Sequence, residues 1–317
     1  MVDIPAFRVV FFGTPEFALP SIDALLRSRH TVVGVVTQRD RPRGRGQKMS
    51  EPPVKARAVE AGVPVLQPER LKDAAFLEAF AGLGPDLGVV AAYGKLLTEA
   101  VLAAPRLGLI NVHASLLPRY RGAAPVHRAV IGGERETGVT IMRMVKALDA
   151  GPMLAVARRP IAPDETSEDV ERDLARIGAT TLVETVEALA AGSLAETPQD
   201  DSAATYAPRL TKEEGAVDWT LPAEAVHNLI RGLHPWPHAF TFCRGQRWIV
   251  LRSVVLPGSS APPGTILEAT GDHLMVAAGR DIIRVLEIQV EGKRSMAARE
   301  FLAGHHVTAG AVLTPRP

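Results

Sequence analysis

The sequence predicts an α/β domain built on a doubly wound, mostly parallel sheet, followed by a smaller β-barrel domain. Two features carry this expectation. Through residue 192, apolar runs of strand length alternate with helix-length amphipathic segments, the pattern of crossovers on a parallel sheet. Beyond residue 211 the runs become short and β-rich, punctuated by Gly, Pro and Asp, as in a small antiparallel barrel. The first part reads as Rossmann-like and the second as OB-like.

Taken in order, residues 7–12 form an unbroken apolar strand, followed by Gly13-Thr14-Pro15-Glu16. Thr14 is placed to cap a helix and Pro15 to occupy its first position, the helix running through Leu26. Strands are expected at 31–37, 63–66, 87–92, 108–113 and 138–144, with helices between most of them, and the chain returns as a strand at 153–161. Residues 167–191 read as one long helix, with Val170, Leu174, Ile177, Leu182, Val186 and Leu189 on its apolar stripe. Residues 192–209 lose that periodicity and hold Pro198 and the pair Asp200-Asp201, which reads as a linker. The expected organisation is therefore a domain over 1–192, a linker over 193–211 and a second domain over 212–317. In the latter, a helix at 223–232 precedes strands at 239–243, 248–255, 264–269, 273–277 and 282–288.

Composition excludes several classes of function. The formal net charge is +1, so any attraction to nucleic acid must be local. A single cysteine, Cys243, rules out an intrachain disulfide framework and a multi-cysteine metal site. No apolar run reaches the length of a membrane span and no signal pattern opens the chain, so a cytoplasmic protein without membrane contact is expected. No apolar seam is legible, so the expected state is a monomer. Gly13 stands alone, without the G-x-G-x-x-G that would cradle a dinucleotide, which argues against a nicotinamide cofactor.

The stretch from Gly108 to Val126 reads G-L-I-N-V-H-A-S-L-L-P-R-Y-R-G-A-A-P-V. Asn111 and His113, two apart on a strand, point to the same face near its C-terminal end, where open α/β sheets bind ligands. An amide donor beside a titratable ring suits acyl transfer, one group for the developing oxyanion and one to move a proton. On spacing alone the pair reads equally well as a polar strand end that hydrogen-bonds the following loop.

Surrounding residues are more specific. Asn111-Val112-His113, Ser115-Leu116-Leu117-Pro118 and Arg121-Gly122, followed by Leu148-Asp149-Ala150-Gly151, resemble the signature of the folate-dependent formyltransferases. Phe12-Gly13-Thr14-Pro15, Val36-Thr37-Gln38, Gly44-Arg45-Gly46, Ala92-Tyr93-Gly94 and His234-Pro235-Trp236-Pro237 fall in the order expected of the members acting on charged initiator tRNA. The likeness covers nearly the whole chain. Ala114 and Pro152 depart from it, where a Gly and an acidic residue are usual.

The resemblance implies that Asn111, His113 and Asp149 are catalytic, with 10-formyltetrahydrofolate as formyl donor, initiator methionyl-tRNA as acceptor, and no metal. Asn111 would donate to the formyl oxygen as it becomes anionic. His113 would stabilise the same charge or pass a proton to the leaving nitrogen. Asp149 would hold the charged ring and help deprotonate the amine. Without the resemblance, Asp149 reads as a turn residue. The resemblance also places the folate against Ser115, Leu116, Leu117 and Pro118, with Gly94 and Leu97 as candidate walls for its ring; Leu96 and Leu97 read alternatively as ordinary core.

Residues 38–48 read Q-R-D-R-P-R-G-R-G-Q-K, with Arg39, Arg41, Arg43, Arg45 and Lys48 against Asp40. Pro42, Gly44 and Gly46 predict no regular structure. Such a run is commonly a solvated loop. The resemblance implies contact with the tRNA acceptor stem, because Arg suits phosphate and base stacking, and Arg45 between two glycines is the leading residue. In the second domain, Arg244, Arg247, Arg252, Lys293 and Arg294 are candidates for a shared basic face. Three other readings compete: formylation of an amino sugar nucleotide, hydrolysis of the formyl donor, and an inert tRNA-binding module. The basic run speaks against the first, and the presence of all three catalytic residue types against the last.

Overall fold

The computed structural model describes residues 5–43, 48–258 and 260–317. In chain order its elements begin with β1 (Arg8–Gly13), a short 3₁₀ turn (Glu16–Ala18), α1 (Leu19–Arg27) and β2 (Thr31–Val36). There follow β3 (Arg41–Arg43), β4 (Lys48–Ser50), α2 (Pro53–Glu60), β5 (Val65–Leu66), α3 (Ala74–Gly82), β6 (Leu87–Ala91) and α4 (Glu99–Ala103). Next come β7 (Leu109–His113), β8 (Arg121–Gly122), α5 (Pro125–Ile131), β9 (Glu136–Arg143), β10 (Met153–Pro160), α6 (Ser167–Ala190) and β11 (Tyr206–Ala207). The chain ends with α7 (Ala223–Gly232), β12 (Ala239–Cys243), β13 (Gln246–Leu256), β14 (Ile266–Thr270), β15 (His273–Ala277), β16 (Ile282–Val290), β17 (Ser295–Ala297), α8 (Ala298–Gly304) and β18 (Leu313–Thr314).

These elements fall into two compact units, one of residues 1–125, 137–159 and 171–207, the other of 126–136, 160–170 and 208–317. The first holds a 7-stranded sheet in the order β10-β9-β7-β6-β1-β2-β5. β1 pairs in parallel with both β2 and β6, β6 with β7, and β2 with β5. The expected Rossmann-like order is present, with strand order reversing on either side of β1. The sheet is mostly rather than wholly parallel: β9 runs antiparallel to β7, setting His113 opposite Thr140 and Asn111 opposite Met142. Val10, Phe12, Val90, Tyr93 and Leu109 share one buried cluster on this sheet with Phe76 and Phe80 of α3.

The expected cap at Thr14 does not form. Pro15 takes the N-cap position of the 3₁₀ turn, α1 starts at Leu19, and the Thr14 hydroxyl instead donates to the Tyr93 carbonyl at 3.1 Å. Gln38 Nε2 donates to the same oxygen at 2.8 Å. One carbonyl thus gathers the loops after β1, β2 and β6, and a buried acceptor offered two donors outcompetes a local cap.

In the second unit a 7-stranded antiparallel sheet follows the path β14-β15-β16-β13-β12-β18, with β17 on β16. Its ends meet: Ile266 N–H donates to Ala311 O and Leu313 N–H to Gly264 O, each at 2.8 Å. Register shifts near Val250 and Arg252 bend the long β13, as closure into a barrel requires. Trp248 meets Phe301 of α8 edge-on at 5.0 Å in the core, and the Trp219 indole N–H bonds Thr241 Oγ1 at 3.0 Å. Cys243 is a buried free thiol. Among the described residues no helix is long and apolar enough to cross a membrane.

His30 makes the first unit acid-sensitive. Its Nδ1 accepts the Phe7 N–H at 3.0 Å, while Nε2 lies 3.2 Å from Glu187 Oε1, off the hydrogen-bond direction. Burial pulls the ring's pKa below the ordinary 6.5, against the opposing pull of Glu187. The unfolded chain therefore takes up the proton first, so this contribution to stability is full above 6.5 and is lost as pH falls below it. Melting temperature should drop between about pH 7.5 and about pH 5.5, and His30→Asn, which keeps an acceptor without titrating there, should flatten that slope. Identical slopes in thermal melts would reject this assignment.

Candidate active site

β7 is the strand on which the site is built, and its alternation decides what faces where. Leu109 joins the buried cluster on one face, and Val112 on the other lies against Gly178 of α6, where a Cβ would come within 2.8 Å of the valine methyl. Asn111 and His113 continue the Leu109 face toward the strand's end, 8% and 5% exposed. Period-two alternation thus brings amide and imidazole out side by side, as their spacing predicts.

Each ring nitrogen of His113 faces an acceptor. Nε2 lies 3.0 Å from the Tyr120 carbonyl oxygen, which can only accept, so Nε2 carries a hydrogen. Nδ1 faces Asp149 Oδ2 at 3.7 Å. The same carboxylate oxygen accepts the Gly122 N–H at 2.9 Å. A ring protonated on both nitrogens would meet a complementary oxygen on each side. Among the described residues no hydrogen bond engages the Asn111 carboxamide. The structure thus brings Asn111, His113 and Asp149 together, with the amide uncommitted.

Asp149 sits in the left-handed region at φ 47, as do Ala92 (φ 47) and Tyr120 (φ 62). Such backbone is held only where surroundings over-determine it, and it clusters at functional sites. Here the three residues lie on the loops after β9, β6 and β7. The Asp149 loop is clamped by Gln199, whose Nε2 donates to the Asp149 carbonyl at 2.8 Å and the Gly151 carbonyl at 2.7 Å. Gln199 Oε1 in turn accepts from Arg121 Nε at 3.1 Å and Nη2 at 2.8 Å, and Arg121 Nη2 also reaches Asp201 at 2.7 Å. Pro152 leaves the loop anchored, since its carbonyl accepts the Arg143 N–H at 2.9 Å.

The residues expected to hold a folate divide. Ser115 is fully buried and spends its hydroxyl on the Arg119 carbonyl at 2.7 Å, so its side chain braces the loop from within. Thr140 of β9 donates to the Ser115 carbonyl at 2.8 Å and accepts the Leu117 N–H at 3.2 Å. Leu117 is buried, while Leu116 and Pro118 are half-buried. Gly94 has φ 80, and a Cβ there would come 2.6 Å from Gln38 Nε2. Leu97 packs against the buried cluster, but Leu96 is 82% exposed and is not core. With Val145 and Leu148, also exposed, it puts apolar surface on the loops after β6 and β9.

The basic run departs from the expected absence of regular structure. Arg41–Arg43 and Lys48–Ser50 pair as an antiparallel ladder, because β-pairing satisfies the backbone of both segments. Its base is pinned by Asp40, which accepts from Lys55 at 2.5 Å and Gln67 at 2.8 Å. Arg39 pairs with Glu69 at 3.2 Å and Arg41 is exposed. Arg45 lies outside the described residues, as do the side chains of Arg43 and Lys48. In the second unit Arg247 stacks on Phe240, 3.9 Å from the ring centre, and pairs with Glu291, and Arg244 bonds Thr308. Gln199 and Thr140 were missed from the sequence: each is a single polar residue with no spacing or motif to mark it.

Comparison with known proteins adds an independent line. Residues 7–186 match the formyl transferase family and residues 209–306 the formyl transferase C-terminal domain. A methionyl-tRNA formyltransferase from Caldanaerobacter subterraneus subsp. tengcongensis is 48% identical over 96% of this chain and 99% of its own. One from Sorangium cellulosum is 47% identical over the same shares. Among solved structures, an N-formyltransferase from Helicobacter canadensis in complex with folinic acid and dTDP-3-aminofucose superposes with a TM-score of 0.66, covering 88% of this chain and 98% of its own at 15% identity, a likeness of fold.

Thr140→Val should remove both hydrogen bonds that tie the 115–118 loop to β9 while keeping the side chain's shape. Leaving the buried Leu117 N–H without its partner should cost about 1–3 kcal/mol. The expected result is a lower urea midpoint with unchanged m value; an unmoved midpoint would show that the loop is held elsewhere.

Proposed function

We infer that this chain, a member of the formyl transferase family, transfers a formyl group from 10-formyltetrahydrofolate to the α-amino group of methionyl-tRNA, the step that prepares the initiator for translation. The observation that carries the reading is the convergence of an uncommitted amide, an imidazole and a carboxylate at the end of one strand. Relatives bearing that activity are aligned along almost their whole length.

The donor supplies an electrophilic formyl carbon, which the amine attacks; the carbon–nitrogen bond to the folate breaks and tetrahydrofolate departs, its nitrogen taking back the proton that the amine loses. Asn111 donates its free amide N–H to the oxygen that becomes anionic. His113, held between the Tyr120 carbonyl and Asp149, presents positive charge to the same oxygen. The Asp149 carboxylate supports that charge and accepts, directly or through water, the proton the amine loses. The half-buried Leu116 and Pro118 and the exposed Leu96 and Leu148 fit a folate ring, framed by the main chain of Ser115 and Gly94. The basic segment holding Arg39, Arg41, Arg43, Arg45 and Lys48 contacts the acceptor stem, residues 1–192 forming the catalytic domain and 212–317 a tRNA-binding domain joined through 193–211. We place the protein in the cytoplasm, as a monomer.

An acceptor test decides the reading: purified protein with 10-formyltetrahydrofolate and either methionyl-tRNA or an amino sugar nucleotide. The formyl group is expected on the tRNA; transfer to the sugar alone would overturn the assignment. Asn111→Ala should lower kcat about 100- to 1000-fold, and His113→Ala about 100- to 10000-fold with tRNA binding retained. Arg41→Ala should weaken tRNA binding and reduce the salt slope of log K by about 1, whereas an unchanged slope in binding titrations would place the phosphate contacts elsewhere.

A further inference from the structure

One half-buried amide holds the main chain of the Asp149 loop without bearing a reacting group. We propose that Gln199 is a positioning residue for formyl transfer, keeping the Asp149 main chain in the conformation that sets its carboxylate opposite His113. The inference rests on the formyl-transfer reading and adds to it a residue from a stretch with no catalytic motif.

The hydrogen-bond capacity of Gln199 is fully used. Its two N–H hydrogens go to the carbonyls of Asp149 and Gly151, and its oxygen takes both Arg121 nitrogens. Asp149 is therefore held at two points, its carboxylate by the Gly122 N–H on Oδ2 and its main-chain carbonyl by Gln199. Asp149 is left-handed at φ 47, which a non-glycine residue leaves when its restraints go. Two residues after Asp149, Gly151 packs so closely on the Arg143 main chain that a Cβ there would collide with its carbonyl. Arg121 is 4% exposed and keeps the glutamine oxygen turned toward it, which leaves the amine end facing the loop. Without the two donors, the backbone relaxes and the 3.7 Å approach of carboxylate to imidazole is lost.

Gln199→Glu separates this role from space-filling. Glutamate has the same length and still pairs with Arg121, yet it donates nothing and turns an anionic oxygen toward two carbonyls. The expected kcat falls about 10- to 100-fold, a loss of alignment, with KM for both substrates within about 3-fold. The decisive measurement is a double-mutant cycle with Asp149→Asn. If Gln199 acts through Asp149, Gln199→Glu should change single-turnover transfer by less than about 3-fold once Asp149→Asn is present. Equal losses in both backgrounds, or no kcat loss in the single variant, would overturn the proposal. Should Gln199→Glu melt far below the wild-type protein, Gln199→Met, which adds no charge, is carried through the same cycle and judged identically. Wild-type protein inactive on methionyl-tRNA refutes the functional reading before any variant is compared; an active wild type with additive losses refutes only the role of Gln199.

Discussion

An imidazole with a carbonyl oxygen at one nitrogen and a carboxylate at the other cannot turn without losing one of them. His113 is in that position, and the arrangement of the first unit follows from it. The carbonyl belongs to Tyr120 and the carboxylate to Asp149, so two loops distant in sequence must meet at one ring. The loop after β7 does so by doubling back: Tyr120 takes a left-handed backbone, its N–H bonds Thr205 Oγ1 at 2.9 Å, and the next two residues form β8 against β11. Gly122 is then the residue whose N–H holds Asp149 Oδ2. It must be glycine, since φ is 123 and a Cβ would come 2.7 Å from the Ala207 carbonyl. A two-residue ladder is thus what aims the carboxylate.

The loops after β1, β2 and β6 are organised by another main-chain acceptor. Tyr93 is 2% exposed and meets Phe12 edge-on at 5.5 Å, so its ring is a core residue. Among the described residues its buried hydroxyl has no hydrogen-bond partner, and burial pushes its pKa up to about 12, so the phenol stays neutral and serves as apolar bulk. The useful group is its carbonyl, which receives Thr14 and Gln38. Anchoring the ring in the core makes that oxygen a fixed point, and the loops after β1 and β2 are tied to it. Core packing and the positions of the loops after β1 and β2 are coupled through one residue.

What could be read from the sequence follows from how far each interaction reaches along the chain. Strands such as β6 and β7 announce themselves by unbroken apolar runs, and α6 by its repeat, because burial imposes a period on neighbouring residues. Asn111 and His113 could be placed on one face by the same logic. The β3–β4 and β8–β11 ladders left no trace, because two or three residues are too few to show a period, and α8 was missed although Phe301 fills the barrel core. Thr14 looked like a cap because the partner it takes instead, the Tyr93 carbonyl, lies 79 residues away. Gln199 fell in a stretch read as a linker, since a side chain whose partners are main-chain carbonyls of a remote loop needs no neighbour of a particular type. Asp149 lay between these cases: spacing left it a turn residue, and only likeness to a family marked it as reactive.

The distribution of positive charge bears on where an RNA is met. With a net charge of +1, attraction to phosphate must come from side chains whose charge is not already spent. In the barrel, Arg247 is stacked on Phe240 and paired with Glu291, Arg284 is paired with Asp272, and Arg244 is bonded to Thr308. Those cations mainly hold the barrel's own surface together. In the first unit, Asp40, the one acid of the basic run, is turned to Lys55 and Gln67, whose hydrogen bonds hold its carboxyl below the usual range. The acid that could have neutralised the hairpin thus serves as the anchor of its base. That division leaves exposed Arg41 to act on a polyanion, with Arg39 shared against a solvated Glu69 at 3.2 Å, an exposed pair that solvent and salt weaken. A ladder anchored at its base through Asp40 presents the exposed Arg41 without giving up contacts the fold depends on.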